Sequence, residues 1–127
     1  MPERYLFEYA VVRVVPCVER EEFLNVGVIL YCRQQNFLQT KIELSEARLS
    51  VFKNTVDRAE IKKHLQAFEQ ICAGHTAVSP IAKLDTAARF RWLTAVRSTI
   101  VQTSKVHPGL CIDPAETLFH LYQQLVL

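Results

Sequence analysis

The residues Phe7-Glu8-Tyr9-Ala10-Val11-Val12-Arg13-Val14-Val15 form the stretch that decides the fold. They are rich in β-branched and aromatic side chains and end at Pro16, which is typical of a strand. Both alternating faces of the stretch are largely apolar, which predicts a strand in the centre of a sheet. Arg13 lies between two valines on one of these faces, so packing alone does not explain it.

Two further strands are predicted by the residues that follow. Residues 24–32 are almost wholly apolar, and residues 37–44 alternate between apolar and polar side chains. The alternation is typical of an edge strand with one face in water, and the short polar segment between the two predicts a hairpin. On the second strand, Asn25 and Gly27 share one face. If the first two strands pair with these faces on the same side, Arg13, Asn25 and Gly27 form a polar notch. Otherwise this face is open to water. The register between the strands decides which alternative holds.

Helices are predicted to occupy most of the second half of the chain. Four helices are predicted from residues that can cap a helix start. Ser45 begins a short helix through residue 52, Asp57 a helix through residue 73, Asp85 a helix through residue 95, and Asp113 the last helix. Residues 96–103 are predicted to form a fourth strand, and His107-Pro108-Gly109 a turn. The order predicts an α+β fold with a mostly antiparallel sheet of about four strands and helices packed on one face.

The composition is that of a globular protein. Of 127 residues, 50% are hydrophobic and 22% are charged, and no repeat, linker or low-complexity tract divides the chain, so residues 1–127 are expected to form a single domain. The amino-terminal segment does not resemble a signal peptide, and no run approaches the roughly 20 apolar residues of a membrane span. We therefore expect a cytoplasmic protein without a membrane association. The net charge of +2 does not indicate a nucleic-acid partner.

The chain lacks the common sequence motifs of catalysis and cofactor binding. It has no phosphate-binding loop, dinucleotide fingerprint, nucleophile elbow or zinc-protease motif. The four cysteines are far apart and without histidines at ligand spacing, so we expect reduced thiols and no metal. On this basis we predict no cofactor and no catalytic residue, and the sequence leans against an enzyme.

The arginines of the segment Arg89-Phe90-Arg91-Trp92-Leu93-Thr94-Ala95-Val96-Arg97-Ser98 are the most informative polar residues. At about 100° per helical residue, Arg89 falls in the middle of the apolar arc and Arg91 on the polar side. An arginine in that position costs stability unless it is paired or reaches water. Arg89 therefore binds an anion or a carboxylate, stacks on Trp92, or bends out past the start of the helix with its stem packed.

Polar residues near the predicted fourth strand complete the set of candidates. Ser98, Gln102 and Ser104 share one face of that strand, and Arg97 lies on the other. Ser104 and His107 are three residues apart, but a catalytic dyad also needs an orienting group and an oxyanion site, and the sequence names neither. The hydroxyl of Ser104 is expected to satisfy the turn backbone. Trp92 is expected to lie in the core.

Several segments together resemble the uncharacterised bacterial domain-of-unknown-function family 3037. The segments are residues 9–16, 22–30 and 89–99, together with Val101-Gln102, Ser104 and Val106-His107-Pro108-Gly109-Leu110. The resemblance implies a small bacterial stand-alone protein with no assigned activity, whose relatives are often encoded beside a kinase-like protein of the toxin type. Arg13, Asn25, Arg89 and Arg97 match recurring polar residues of the family. The chain departs from the family pattern at Val96, often proline there, and at Pro108.

Two functional hypotheses follow. The first is a non-catalytic accessory domain that binds a protein partner, with an exposed apolar or mixed patch along the edge strand at residues 37–44 as one location. The second is an anion-binding domain, or an enzyme acting on a phosphorylated ligand or nucleic acid. It requires Arg13, Arg89 and Arg97 to converge on one pocket with Ser98, Gln102 or His107. The oligomeric state is open, with a homo-oligomer among the alternatives.

Overall fold

The computed structural model describes residues 3–17, 22–50, 57–76, 79–97 and 99–127. Their strands are β1 (Tyr5–Cys17), β2 (Glu22–Cys32), β3 (Phe37–Ile42), β4 (Val101–Thr103) and β5 (His107–Cys111). The helices are α1 (Glu46–Leu49), α2 (Arg58–Ala73), α3 (Thr86–Leu93) and α4 (Pro114–Leu125), with a 3₁₀ turn at Pro80–Lys83. No helix in these ranges is long and apolar enough to cross a bilayer.

β1 is the central strand of a five-stranded antiparallel sheet. β2 and then β3 lie on one side of it, while β4 and β5 share its other edge, β5 along the first half of β1 and β4 along the second. The predicted α+β class, the mostly antiparallel sheet and the central position of this strand are confirmed. The predicted hairpin between the second and third strands is confirmed as well.

β5 is a strand where the sequence predicted a turn at residues 107–109. Pro108 lacks a backbone N–H, but β5 lies at an outer edge of the sheet, where a strand tolerates that loss. The predicted strand at residues 96–103 is much shorter, because only Val101–Thr103 pairs with β1. Before it, α3 ends at Leu93, and Val96 is fully exposed rather than part of a sheet.

Helices cover both faces of the sheet, not one face as the sequence predicted. The first face packs side chains of β1 and β2 such as Val12 and Ile29 against α1, α2 and α3. On the opposite face, Val28 and Leu30 pack against Leu118 and other residues of α4. The cause lies in the strands themselves: β1 and β2 are apolar on both faces, and each face must be buried against another element.

The helix boundaries follow the predicted capping chemistry. Asp57 accepts a hydrogen bond from the backbone N–H of Glu60 at 3.1 Å, and Asp85 accepts one from that of Ala88 at 2.8 Å. Gly74 ends α2 in the left-handed conformation, with φ of 79°. The cap at Ser45 is also present, while the predicted end of its helix at residue 52 lies outside the described residues.

A β-bulge in β2 separates the two residues that the sequence placed on one face. Val12 pairs with Gly27 and Arg13 pairs with Asn25, so Val26 is an extra residue between the two pairs. Asn25 therefore shares the α4 face with Arg13, whereas Gly27 faces the opposite side of the sheet and pairs with Ile42 of β3. The predicted notch of Arg13, Asn25 and Gly27 is wrong in its third member, because a one-residue shift moves a side chain to the other face.

Candidate functional site

Arg13, Asn25 and Gln102 form a row across three neighbouring strands on the α4 face. Arg13 is the central member, since it pairs with Asn25 on β2 and with Gln102 on β4. Residues directly opposite each other in antiparallel strands have their Cβ atoms about 4.5–5.5 Å apart. Three of the predicted site residues are thus brought together by the strand register, and we call them the polar row.

The guanidinium of Arg13 is held by two neighbours. Its Nε donates a hydrogen bond to Oδ1 of Asn25 at 3.3 Å, and its Cζ lies 4.2 Å from the centroid of the Phe23 ring. Asn25 in turn donates from Nδ2 to the backbone oxygen of Leu125, near the end of α4, at 3.2 Å. Gln102 donates from Nε2 to the backbone oxygen of Thr99 at 2.8 Å.

Ser104 and His107 lie along the same edge of β1 but do not form a dyad. The hydroxyl of Ser104 accepts a hydrogen bond from the backbone N–H of Val11 at 2.8 Å and donates to the backbone oxygen of Lys105 at 2.9 Å. The hydroxyl thus bonds one backbone group of β1 and one of the segment between β4 and β5, whereas the sequence predicted a bond to the turn backbone alone. The ring of His107 packs on Tyr9, with 5.3 Å between ring centroids.

Arg89 lies on the other side of the sheet, where α2 and α3 meet. Its Nη1 donates to the backbone oxygen of Leu84 at 2.7 Å, and its guanidinium lies over Gly74 at the end of α2. The Nε of Arg89 is buried without a hydrogen-bond partner in the described residues. The side chain bends back past the start of α3, as one alternative predicted, because the carbonyls around a helix end attract a cation.

Arg97 stacks on Trp92 directly after α3. Its Cζ lies 4.0 Å from the indole centroid, and its Nη2 donates to the backbone oxygen of Trp92. Burial lowers the pKa of Arg97 from its ordinary value. Trp92 is 38% exposed, so the prediction that it lies in the core is wrong. Ser98, the remaining candidate, lies outside the described residues.

The three arginines of the anion-binding hypothesis do not converge on one pocket. Arg13 contacts residues of the α4 face, while Arg89 and Arg97 are bound to backbone oxygens on or beside α3. The convergence required by that hypothesis is therefore not found. Amphipathic patterning identified all three as poorly explained by packing, but it carries no information about which side of the sheet each residue reaches.

A groove lies between the start of α3 and the first half of β1. Its volume is about 690 Å³, and a bidentate ion pair crosses it, in which both Nη atoms of Arg91 donate to the carboxylate of Glu8 at 2.8 Å. The pair raises the pKa of Arg91 chiefly through its hydrogen bonds to Glu8. We call this the α3 groove; its lining residues are Leu6, Glu8, Tyr31, Arg33, Gln34, Asp85, Thr86, Ala87 and Arg91.

Three exposed apolar side chains lie on or just after the strand pair of β1 and β5, and the first of them, Leu6, lines the α3 groove. Leu6 and Leu110 are direct partners across β1 and β5, and they are 58% and 63% exposed. Ile112 follows two residues after Leu110 and is 55% exposed. We call these three residues the apolar edge surface. This surface was not predicted, although the apolar segment Leu110-Cys111-Ile112 beside the predicted turn is a sequence signal for it.

The last turns of α4 are anchored to the rest of the molecule by polar side chains. The hydroxyl of Tyr122 donates to Oε2 of Glu43 at 2.8 Å, and Nη1 of Arg48 donates to the backbone oxygen of Val126. Burial, reinforced by Glu43, raises the pKa of Tyr122 to about 12. Burial likewise raises the pKa of Cys72 in α2 to about 12.

The raised pKa values of Tyr122 and Cys72 predict how the free energy of unfolding depends on pH in the alkaline range. A group that is harder to deprotonate in the folded state stabilises the fold fully below its unfolded pKa, and the contribution is lost as pH rises through the folded pKa. We expect the free energy of unfolding to fall between about pH 9 and pH 12. In Tyr122→Phe the free energy of unfolding should fall less steeply with pH, because only the Cys72 thiol is left of the two groups with a raised pKa. Urea unfolding of both proteins at several pH values measures this, and identical slopes above pH 10 would contradict it.

In the described ranges, no group of three or more histidine, cysteine, aspartate or glutamate side chains is arranged to hold a metal ion. Cys32, Cys72 and Cys111 are buried free thiols. The polar row on one face of the sheet and the α3 groove on the other are two groups of polar side chains that could bind a ligand or a partner.

The fold and these surfaces define a class of protein, an α+β domain whose antiparallel sheet has helices on both faces. The chain belongs to the DUF3037 family of proteins of unknown function, whose family model matches residues 9–126. The match covers nearly the whole chain and confirms the family suggested by the sequence segments. No curated protein and no solved structure matches the chain.

Proposed function

We propose that the chain is an accessory domain that binds another protein through the apolar edge surface and the adjoining α3 groove. The observation that carries the proposal is the exposure of Leu6 and Leu110, 58% and 63%, as direct cross-strand partners. Exposed apolar side chains are common singly, but neighbouring ones beside a groove are typical of interaction sites. Burial of such side chains contributes roughly 25 cal/mol per Å² of apolar surface.

The α3 groove supplies the polar contacts that such an interface needs for specificity. Arg33 lies in its lining, and its guanidinium has neither a hydrogen bond nor an ion pair within the described residues. The Glu8–Arg91 pair is fixed by two hydrogen bonds, so it presents a rigid polar wall. Interfaces commonly combine an apolar centre with a polar rim of this kind.

The edge strand β3 is a weaker choice for the interface than the sequence suggested. Its outward residues Gln39 and Lys41 are exposed and polar, and charged side chains on an edge strand oppose pairing with another chain. The family resemblance implies that relatives are often encoded beside a kinase-like protein, so a neighbour of that kind is the first partner to test.

The test uses purified kinase-like neighbour and the full chain in calorimetric titrations. Leu6→Gln and Leu110→Gln should each weaken binding at least about tenfold, because each removes an apolar contact at the centre of the interface. Both leucines are exposed, so the substitutions should change stability by no more than about 0.5 kcal/mol.

Phe119→Gln is the matched control, since Phe119 is also a large exposed apolar residue but lies on α4. It should bind the partner as the wild type does. If the neighbour does not bind, the same variants are compared in extracts of the host cell. Retention of every protein equally by the wild type and by both leucine variants would contradict the proposal.

A further inference from the structure

The terminal nitrogens of Arg13 are a feature that the proposed docking function does not use. Among the described residues, Arg48, Arg89, Arg91 and Arg97 donate side-chain hydrogen bonds through Nη atoms, whereas Arg13 donates through Nε alone. With Nε already bound, the Nη1–Nη2 edge is the one that remains to form two parallel hydrogen bonds to a carboxylate or a phosphate. In Arg13 this edge makes no hydrogen bond or ion pair within the described ranges.

The direction of that edge is fixed by the neighbours of Arg13. The hydrogen bond from Nε to Asn25 sets the rotation of the guanidinium, and the Phe23 ring, 4.2 Å from Cζ, sets its plane. Asn25 is itself anchored to the backbone oxygen of Leu125. Binding by a side chain that is already oriented loses less conformational entropy than binding by a free arginine.

Partial burial strengthens the attraction of Arg13 for an anion. Arg13 is half-buried in a row of uncharged polar side chains, with Asn25 on one side and Gln102 on the other. A charge in such a place interacts more strongly with a counter-ion than one in open water does. By contrast, Arg91 lies in the α3 groove with its charge already balanced by Glu8.

We infer that Arg13 binds a small carboxylate or phosphate group on the α4 face of the sheet. Arg13 is the binding residue, and Asn25 and Phe23 are positioning residues that act through it. The site lies on the other face of the sheet from the α3 groove, so it stands or falls independently of the proposed docking function. The ligand is either a carboxylate-bearing molecule or a phosphorylated one, since both match the same guanidinium edge.

The test is an NMR titration of the isotopically labelled full chain with inorganic phosphate and, separately, with acetate. Ionic strength is held constant with chloride, so that general screening of charge does not change. We expect saturable shifts of the Arg13 Nε–Hε signal and of the backbone amides of Asn25 and Gln102, with a millimolar Kd. A tighter Kd for phosphate identifies a phosphorylated ligand, and a tighter Kd for acetate identifies a carboxylate.

Variants separate the roles of the residues. Arg13→Met should abolish the saturable shifts, and Arg13→Lys, which keeps the charge but lacks the fork, should weaken binding about tenfold. Asn25→Ala should weaken binding while the charge of Arg13 remains. Arg97→Lys is the matched control, because Arg97 also stacks on an aromatic ring but its Nη2 is bound to a backbone oxygen.

Either of two results would overturn the inference. One is the absence of saturable shifts with both probes in the wild type. The other is an affinity in Arg13→Lys equal to that of the wild type, which would show that the guanidinium fork is not used. Arg13→Lys preserves the charge and the aliphatic stem, so this comparison holds even where Arg13→Met does not fold.

Discussion

Phe90→Ala is expected to lower the free energy of unfolding by about 3–5 kcal/mol, the usual cost of removing a buried aromatic ring. Phe90 is fully buried in the core between the sheet and α1, α2 and α3, and its ring stacks on Tyr31 with 5.3 Å between centroids. Its removal loses both the transfer free energy of the ring and its contacts, because neighbouring strands and helices cannot close the cavity. A domain of this size has only about 5–15 kcal/mol of stability in total.

Urea unfolding at neutral pH, followed by circular dichroism, measures this loss. Phe119→Ala is the matched control, since it removes the same ring from a position on α4 that is 46% exposed. It should cost less than about 1 kcal/mol, because much of the ring is in water in the folded state. Equal losses in the two variants would contradict the placement of Phe90 in the core.

Phe90 also links the core to the α3 groove, because the guanidinium carbon of Arg91 lies 5.5 Å from the centroid of the Phe90 ring. Arg91 reaches Glu8 across the groove, and Arg89 reaches Leu84 beside the end of α2. The packing of Phe90 therefore fixes the position of α3, and with it the width of the groove. We expect variants that loosen this contact to weaken partner binding even though they do not touch the interface.

Local patterns in the sequence were sufficient to predict the first three strands and the starts of the helices. Alternation and β-branched content depend on neighbours along the chain, and the caps at Asp57 and Asp85 depend on residues three positions away. β5 was missed because Pro108 and Gly109 are typical of turns. Only the pairing with β1, a long-range contact, shows that this segment completes the sheet.

The arrangement of the candidate site residues depends more strongly on long-range contacts than the strands and helix starts do. Arg13, Asn25 and Gln102 were predicted as candidate binding residues from separate segments, but their row exists only because three separate strands pair in one register. Arg89 belonged to the same predicted set and lies on the other face. Helical patterning predicts which residues conflict with burial, whereas the positions of α2 and α4 decide which of those residues meet.

The bulge in β2 is a further long-range feature that a single sequence does not reveal. Because an extra residue changes the face of every side chain beyond it, the position of Val26 decides that Asn25 faces α4. Gly27, the residue after Val26, pairs with Ile42 of β3 and faces the opposite side of the sheet from Asn25.

Gly27→Ala is expected to lower the free energy of unfolding by about 3 kcal/mol, at the upper end of the usual cost of overpacking. A Cβ at this position would lie 2.5 Å from the backbone oxygen of Lys41 and 2.7 Å from Cγ1 of Ile42. The side chain of Ile42 has some freedom to move, but the backbone oxygen belongs to the paired strand β3. Relief therefore requires β3 to shift away from β2, which weakens their hydrogen bonds.

Gly74→Ala distinguishes this steric cost from the ordinary cost of replacing a glycine. Gly74 has φ of 79°, and a Cβ there would meet Arg89 at an ordinary contact distance of 3.5 Å. The expected loss is only about 1 kcal/mol, the penalty for alanine in the left-handed region. Urea unfolding of both variants tests the contrast, and hydrogen exchange at β3 should increase in Gly27→Ala alone. A smaller loss in Gly27→Ala than in Gly74→Ala would contradict the close approach of β3, because backbone conformation would then be the larger constraint.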